Sequence, residues 1–513
     1  MSFFSWEFLA FLGGSLLLYY LLPRRVQWVI LLLLSLGFYL LGGLWMGLYL
    51  GFTVLTTYFA GRLLTRWNDR AKQDKTDVRG PKRLATVICL LLNFGMLYTL
   101  KYWNFTGEIL SGLTGGRFTL PYSTLLLPLG LSYYIFQSVG YVIDCYRGKQ
   151  RAERNPFRYA LFVSFFPQLV QGPISRYGQL APQLTAPHRP DADQLKYGIQ
   201  LALWGYVKKL VLADRAAPLV LSVLGAPEQY GGAVNLVAML FYCVQLYCDF
   251  SGGIDITRGV AQMFGIDLAE NFRRPIFAAS LADYWRRWHI SLGSWMRDYV
   301  FYPLSFSKPL AALGRFTRKH PGGKLGKVIP TAVATFAVYF IIGIWHGANF
   351  RYVAYGLYYG TLLTLSVLLA GPFSALKKRL RLKDSQPGFH AFQLLRTMLL
   401  VLIGRYMTRA PRLLVGLGML ARLFTAPRFS ELTDGTLGTL GMRGWDFALV
   451  GVGTAILLLL EWRQERGVEL RKSLERRHAA VQWLCILLPL ALLTAVIAFS
   501  GEPVNAALIY QNN

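Results

Sequence analysis

The chain has 513 residues, 54% of them hydrophobic and 15% aromatic, but only 16% charged, well below the roughly 25% of a soluble domain. Apolar runs of about 18 or more residues recur from one end to the other, which excludes a secreted enzyme, a cytosolic enzyme and a disordered scaffold. The formal charge of +28, from 54 Lys and Arg against 26 Asp and Glu, collects in short loops between apolar runs, the positive-inside pattern of a protein held among membrane lipids; no zinc-finger, RNP or basic-helix signature accompanies it, so no nucleic-acid partner is expected.

The expected fold is all-α: a polytopic membrane helical bundle of about 10 to 12 spans with added re-entrant or interfacial helices. The whole chain reads as one integral membrane domain, with N-terminal spans in 1–122, a central core in 123–370 and C-terminal spans in 371–513. Apolar segments run near 3–22, 26–45 and 46–61, the first without a basic flank or small-residue cleavage site, so it reads as a retained span rather than a signal peptide. The loop from Arg62 to Arg83 carries eight Lys and Arg against three Asp, which places it in the cytoplasm and the N-terminus outside. Keeping the basic stretches after Arg147, at Lys308 to Lys327, Lys377 to Lys383 and Arg463 to Arg477 inside as well orders the later spans near 84–102, 123–143, 331–345, 352–371, 391–408, 446–461 and 480–499. The last 14 residues, free of Lys and Arg, then fall outside. Residues 156–300 do not parse into clean spans, because prolines and charges interrupt apolar runs of moderate length.

The segment Asp283-Tyr-Trp-Arg-Arg-Trp-His-Ile-Ser-Leu-Gly-Ser-Trp-Met-Arg-Asp-Tyr299 is too charged to span and too aromatic for an ordinary loop. On one continuous helix, Trp285, Trp288, Leu292, Trp295, Met296 and Tyr299 share an apolar arc, Arg286, Arg287, Arg297 and Asp298 lie off it, and His289 sits at its edge. Two readings stand: an interfacial helix with tryptophans at headgroup level, or the lip of a buried site where Arg286 and Arg297 meet an anionic ligand and His289 faces a cavity.

Further on, an apolar helix ends at Trp345 and His346-Gly-Ala-Asn-Phe350 interrupts it. The 15 residues from Thr331 to Trp345 rise roughly 23 Å, short of a hydrocarbon core of about 30 Å, so His346 is expected below the outer surface. An ionisable group at that depth is a functional candidate, here a general base, against the alternative of a structural histidine. Asn349 reads first as a helix-end residue. Asp249, in Tyr247-Cys-Asp-Phe-Ser251, and Asp255 are the obvious intramembrane carboxylates. His188, His320, His390 and His478 read as solvated loop residues, and the five cysteines, which include no C-x-x-C pair, suggest neither a disulfide framework nor a metal site.

Several blocks together resemble the membrane-bound O-acyltransferase (MBOAT) family, and within it the bacterial alginate O-acetyltransferase-like branch. In chain order they are Ser132-Tyr-Tyr-Ile-Phe-Gln-Ser-Val-Gly-Tyr-Val-Ile-Asp144, Phe165-Phe-Pro-Gln-Leu-Val-Gln-Gly-Pro-Ile-Ser-Arg-Tyr177, Tyr247-Cys-Asp-Phe-Ser-Gly252, Met263-Phe-Gly265, Asn271-Phe272, Asp283-Tyr-Trp-Arg-Arg-Trp-His-Ile-Ser-Leu292, Arg297-Asp-Tyr299 and Gly343-Ile-Trp-His-Gly-Ala-Asn349. The resemblance implies a helical bundle with a tunnel, His346 as the catalytic histidine and His289 as the second functional position. Trp285, Arg286, Trp288, Arg297, Asp298, Trp345, Asn349 and Asp249 become candidates for lining the tunnel or contacting substrate. It implies no permanently bound cofactor and an acyl donor on the cytoplasmic side, acetyl-CoA or an acyl carrier protein thioester. An extracytoplasmic SGNH-hydrolase-like protein would be the partner and a cell-surface polysaccharide the acceptor, in a bacterial plasma membrane. D-alanyl transfer from a carrier protein towards teichoic acid keeps the same class; a polysaccharide exporter without acyl chemistry is the rival from another. The chain departs from the branch after Tyr302-Pro-Leu304, where Ser305-Phe-Ser-Lys-Pro309 and a long basic stretch follow, and its ending Ala507-Leu-Ile-Tyr-Gln511 matches only loosely.

Overall fold

A computed structural model describes residues 2–320 and 323–500; the tail expected outside, beyond Ser500, and the 507–511 ending lie outside the described residues. The architecture is helical throughout, and the described residues contain one isolated antiparallel bridge, Phe272 with Trp288. Among the described residues seven helices are long and apolar enough to cross a membrane, eight if Phe350–Leu368 and Ala370–Arg379, bent by 60°, count as one broken span. The chain is thus a polytopic helical bundle. Fewer helices qualify than hydropathy predicts because several apolar segments fold short, among them Trp6–Leu21, Gln27–Leu40, Leu131–Tyr146 and Leu413–Thr425.

The residues sort into two compact units: the chain up to Tyr206 with Gly252–Glu270, and Val207–Ser251 with Asn271–Phe499. In the first unit, Leu44–Gln73 runs for 30 residues. It carries Arg62, Arg66, Arg70 and Lys72, expected in a loop, on a helical extension. Between 156 and 185 the chain forms the short helices Pro156–Ser164, Phe166–Leu169 and Tyr177–Thr185, as its broken hydropathy anticipates, but the expectation of no clean span up to 300 fails at Gly232–Met263, an unbroken 32-residue helix long and apolar enough to cross a membrane. Polar side chains around the short helices answer one another inside an aromatic core. Gln137 Nε2 donates to the Phe162 carbonyl at 2.6 Å, Gln168 Nε2 to Gln137 Oε1 at 3.1 Å, and Ser175 Oγ to Gln168 Oε1 at 2.9 Å, which removes most of the cost of burying amides. His188 is not a simple solvated residue: its Nε2 lies 2.8 Å from the Gln183 carbonyl, and Gln27 bridges its backbone N–H and C=O at 2.8 and 3.0 Å.

In the second unit the stretch expected to be a basic loop, Lys308 to Lys327, instead forms the helix Lys308–Lys319, capped by Ser307. Gly323–His346 follows and packs along Phe350–Leu368. That pair is unusually close: a Cβ on Gly343 would lie 2.4 Å from the Gly356 Cα, and one on Gly347 would lie 2.4 Å from the Tyr352 ring. Glycine is needed at Gly343 because two backbones pass within the space of one methyl group, and at Gly347 because the Tyr352 ring fills that space.

Candidate active site

His289 sits at a break, not on a continuous helix. Leu281–Arg287 ends, Trp288 is extended, His289 adopts the left-handed conformation at φ 49°, and Ile290–Met296 begins. A non-glycine residue in that region costs on the order of 1 kcal/mol and persists only when its surroundings fix it. The fixing comes from Asn271, 18 positions upstream. Asn271 Oδ1 accepts the Ser291 N–H at 2.9 Å and lies 3.3 Å from His289 Nδ1, while the Ile290 N–H donates to the Asn271 carbonyl at 3.0 Å. Since a backbone N–H can only donate, the atom facing Ser291 must be the amide oxygen, so Nδ1 carries the imidazole proton and Nε2 the lone pair. Burial, with 2% of the residue exposed, pushes the His289 pKa down to about 3, which keeps the ring neutral.

Two arginine clamps hold the same segment from outside. Glu465, at the end of Gly444–Glu465, accepts from Arg274 Nε at 2.7 Å and from Arg287 Nη1 at 2.9 Å, and Arg287 also pairs with Asp283 at 3.0 Å. The amphipathic-arc reading is corrected here. Trp288 is buried between the stacked Tyr284 ring, 5.7 Å away, and Phe272, 5.0 Å away. Trp285 packs edge-on against Tyr359 at 5.1 Å and near Tyr339 at 5.7 Å. These rings form an interior wall rather than a headgroup belt, because the break at 288–289 turns them inward.

His346 closes Gly323–His346, half-buried. Its ring lies 5.0 Å from Trp345, edge-on to Tyr355 at 5.7 Å, and 6.2 Å from Tyr352. The Trp345 ring is also 6.0 Å from His289, and Phe250 meets His289 edge-on at 4.9 Å. One indole therefore lies against both histidines: His289 is neutral and deeply set, and His346 is more accessible. Such a pair can accept a proton from a hydroxyl and hold the reacting groups in a water-poor space.

The remaining candidates divide. Arg286 and Arg297 are exposed and pair with Asp283 at 3.5 Å and Asp298 at 3.0 Å, so the structure does not bring them to the histidines. Asn349 is an N-cap, its side chain accepting from the Arg351 N–H at 3.0 Å. Asp249 is fully buried and bonded to Lys209 Nζ at 2.6 Å, with Asp214 on the same ammonium at 2.8 Å and Lys208 on Ser251 at 2.9 Å; this is a self-neutralising cluster. Three buried cations escaped the sequence reading, Lys208, Lys209 and Arg405. Arg405 donates to the Tyr284 hydroxyl at 2.9 Å and lies 4.9 Å from the centre of the Trp288 ring. Its signal was an arginine inside the apolar stretch 391–408.

Comparison with known proteins bears on this site. The model of the family described as MBOAT, membrane-bound O-acyltransferase, matches residues 150–317. The chain is 32% identical to the "Probable alginate O-acetylase AlgI" of Azotobacter vinelandii over 81% of its own length and 76% of that protein's. It is 29% identical to the peptidoglycan O-acetyltransferase of Helicobacter pylori over 57% of each chain. With the teichoic acid D-alanyltransferase of Bacillus subtilis it shares 30% identity over 48% of its length and 60% of that protein's.

Proposed function

We propose, from the premise that this chain belongs to the membrane-bound O-acyltransferase family, that it moves an acetyl group from cytoplasmic acetyl-CoA across the membrane towards a cell-surface polysaccharide. The chain is a multi-pass membrane O-acyltransferase; the acetyl group, the donor, the acceptor and the plasma-membrane orientation with an external N-terminus are our reading. Acetyl is favoured over D-alanyl because similarity to the alginate O-acetylase covers 81% of the chain, against 48% for the D-alanyltransferase. An extracytoplasmic SGNH-like protein would receive the group and place it on the glycan.

The observation that carries the chemistry is the placing of His289 and His346 against the same Trp345 ring. In this reading His346 takes the proton of the attacking hydroxyl as it adds to the thioester carbonyl, and returns it to the departing thiolate. His289 holds the donor beside it, its tautomer set by Asn271. Loss of the base is expected to lower the rate about 10² to 10⁴-fold.

Mass spectrometry of O-acyl esters on envelope glycans tests this, in a deletion strain complemented with wild type, His346→Ala or His289→Ala at matched membrane abundance. An acetyl ester restored by wild type and not by His346→Ala is the expected result. Full restoration by His346→Ala would sink the base assignment, and an alanyl ester in place of acetyl would replace the proposed donor.

A further inference from the structure

Arg405 is a buried charge beside the aromatic wall at the two histidines, 6% exposed on the apolar helix Pro387–Arg409. An ion at that depth costs several kcal/mol unless something answers it. Among the described residues no carboxylate pairs with Arg405. Its hydrogen bond goes to the Tyr284 hydroxyl at 2.9 Å, and Tyr355, Tyr359 and Tyr242 stand around it. The Tyr284 hydroxyl turns its oxygen towards the guanidinium, so it must aim its own proton elsewhere, and neither it nor the Tyr355 hydroxyl has an acceptor among the described residues. Trp285 Nε1 is a third buried donor without an acceptor there, its ring 5.5 Å from that of Tyr284 and 6.4 Å from that of Tyr355. The cluster is therefore all donors: one fixed cation, two O–H groups and one N–H. It also adjoins both histidines, since Tyr355 is edge-on to His346 and Tyr284 stacks on Trp288, the neighbour of His289.

A donor-only site next to a general base fits an oxygen that gains negative charge. We propose that Arg405, Tyr355, Tyr284 and Trp285 hold the carbonyl oxygen of the acyl group and stabilise the charge it acquires during transfer; the inference rests on the assignment of His346 as the base. As the acceptor proton passes to His346, the acceptor oxygen bonds to the carbonyl carbon and the π pair moves onto the carbonyl oxygen, facing these donors. Return of that pair breaks the C–S bond, and the thiolate takes the proton from the imidazolium. Donors fixed in a dry site act on the transition state more than on the ground state, so their loss falls on kcat.

The test uses membranes holding the full chain, titrated with radiolabelled acetyl-CoA, with acetyl ester formed on glycan measured per unit of protein. Tyr355→Phe, which removes one hydroxyl and keeps the cation, is expected to lower kcat on the order of 10²-fold with KM for acetyl-CoA nearly unchanged. Arg405→Met should lose more, and Arg405→Lys, which keeps the charge without the planar fork, less. Wild-type kcat in Tyr355→Phe overturns the inference, as does a loss confined to KM, which would mean uniform binding of an anionic substrate group. Should Arg405→Met fail to accumulate, Tyr355→Phe alone decides. His346→Ala in the same assay separates the two readings: activity there overturns the base assignment, whereas an inactive His346→Ala beside a fully active Tyr355→Phe overturns only the donor site.

Discussion

Gly343→Ala should disturb catalysis without touching a functional side chain. The new methyl would lie 2.4 Å from the Gly356 Cα, 2.6 Å from its N and 2.7 Å from the Tyr352 carbonyl oxygen. All three are backbone atoms, so no rotamer change relieves the clash. Ordinary contact begins near 3.4 Å, so Gly323–His346 and Phe350–Leu368 must separate by about 1 Å in a packed interior that resists it. Overpacking of this kind costs about 1–3 kcal/mol of stability. The same shift carries Tyr355 away from His346, and a displacement of about 1 Å at a reacting centre lowers rates on the order of 10²-fold. Initial rates of acetyl transfer and the Tm of the purified protein in detergent read both effects. Gly371→Ala, where an added methyl meets nothing within 4 Å, is the control and should match wild type. A Gly343→Ala protein with wild-type rate and Tm would refute the argument that this contact sets the distance between His346 and Tyr355.

Asn271→Ala orphans the buried Ser291 N–H and releases His289 Nδ1, at a cost of about 1–3 kcal/mol, whereas Asn271→Asp keeps the acceptor; equal Tm values for the two variants would contradict the proposed lock. The neutrality of His289 makes stability depend on pH. With its folded pKa near 3 against 6.5 for the free side chain, the unfolded chain alone takes up a proton below about pH 6.5. Stability is therefore full above that pH and falls by up to about 1.4 kcal/mol per unit towards pH 4.5. His289→Gln should remove that slope, so parallel Tm against pH curves for the variant and wild type would show the idea to be wrong. Lys209→Met leaves Asp249 buried without its ammonium and should lower stability by about 3–5 kcal/mol. The double change Lys209→Met, Asp249→Leu should recover much of it in the same melting assay, and no recovery would mean the cluster does more than neutralise itself.

The helical class was legible because it rests on local pattern, long apolar runs; the two histidines stood out only as candidates, His346 by its depth at a helix end and both by the family resemblance. The break at His289 was not legible, since a helical wheel assumes a continuous helix and the residue that stops it, Asn271, is distant in sequence. The same assumption left open a reading with Trp285 and Trp288 at headgroup level, although the broken backbone turns both into an aromatic wall. Arg286 and Arg297 drew attention by lying near His289 in sequence, yet each has a neighbouring carboxylate to satisfy it. Arg405 drew none, because one arginine hardly lowers the hydropathy of its helix; only the tertiary structure brings the tyrosines around it.

The Glu465 carboxylate, which ties down the turn before His289, lies 178 residues beyond Arg287 in the chain. At about 5–20 residues per second of synthesis, Arg287 emerges roughly 10 to 35 s before its partner exists. Throughout that interval the left-handed turn at His289 lacks its outer brace while the helices around His346 are already entering the membrane. The latch that sets the geometry of the turn is thus made after every other element of the site.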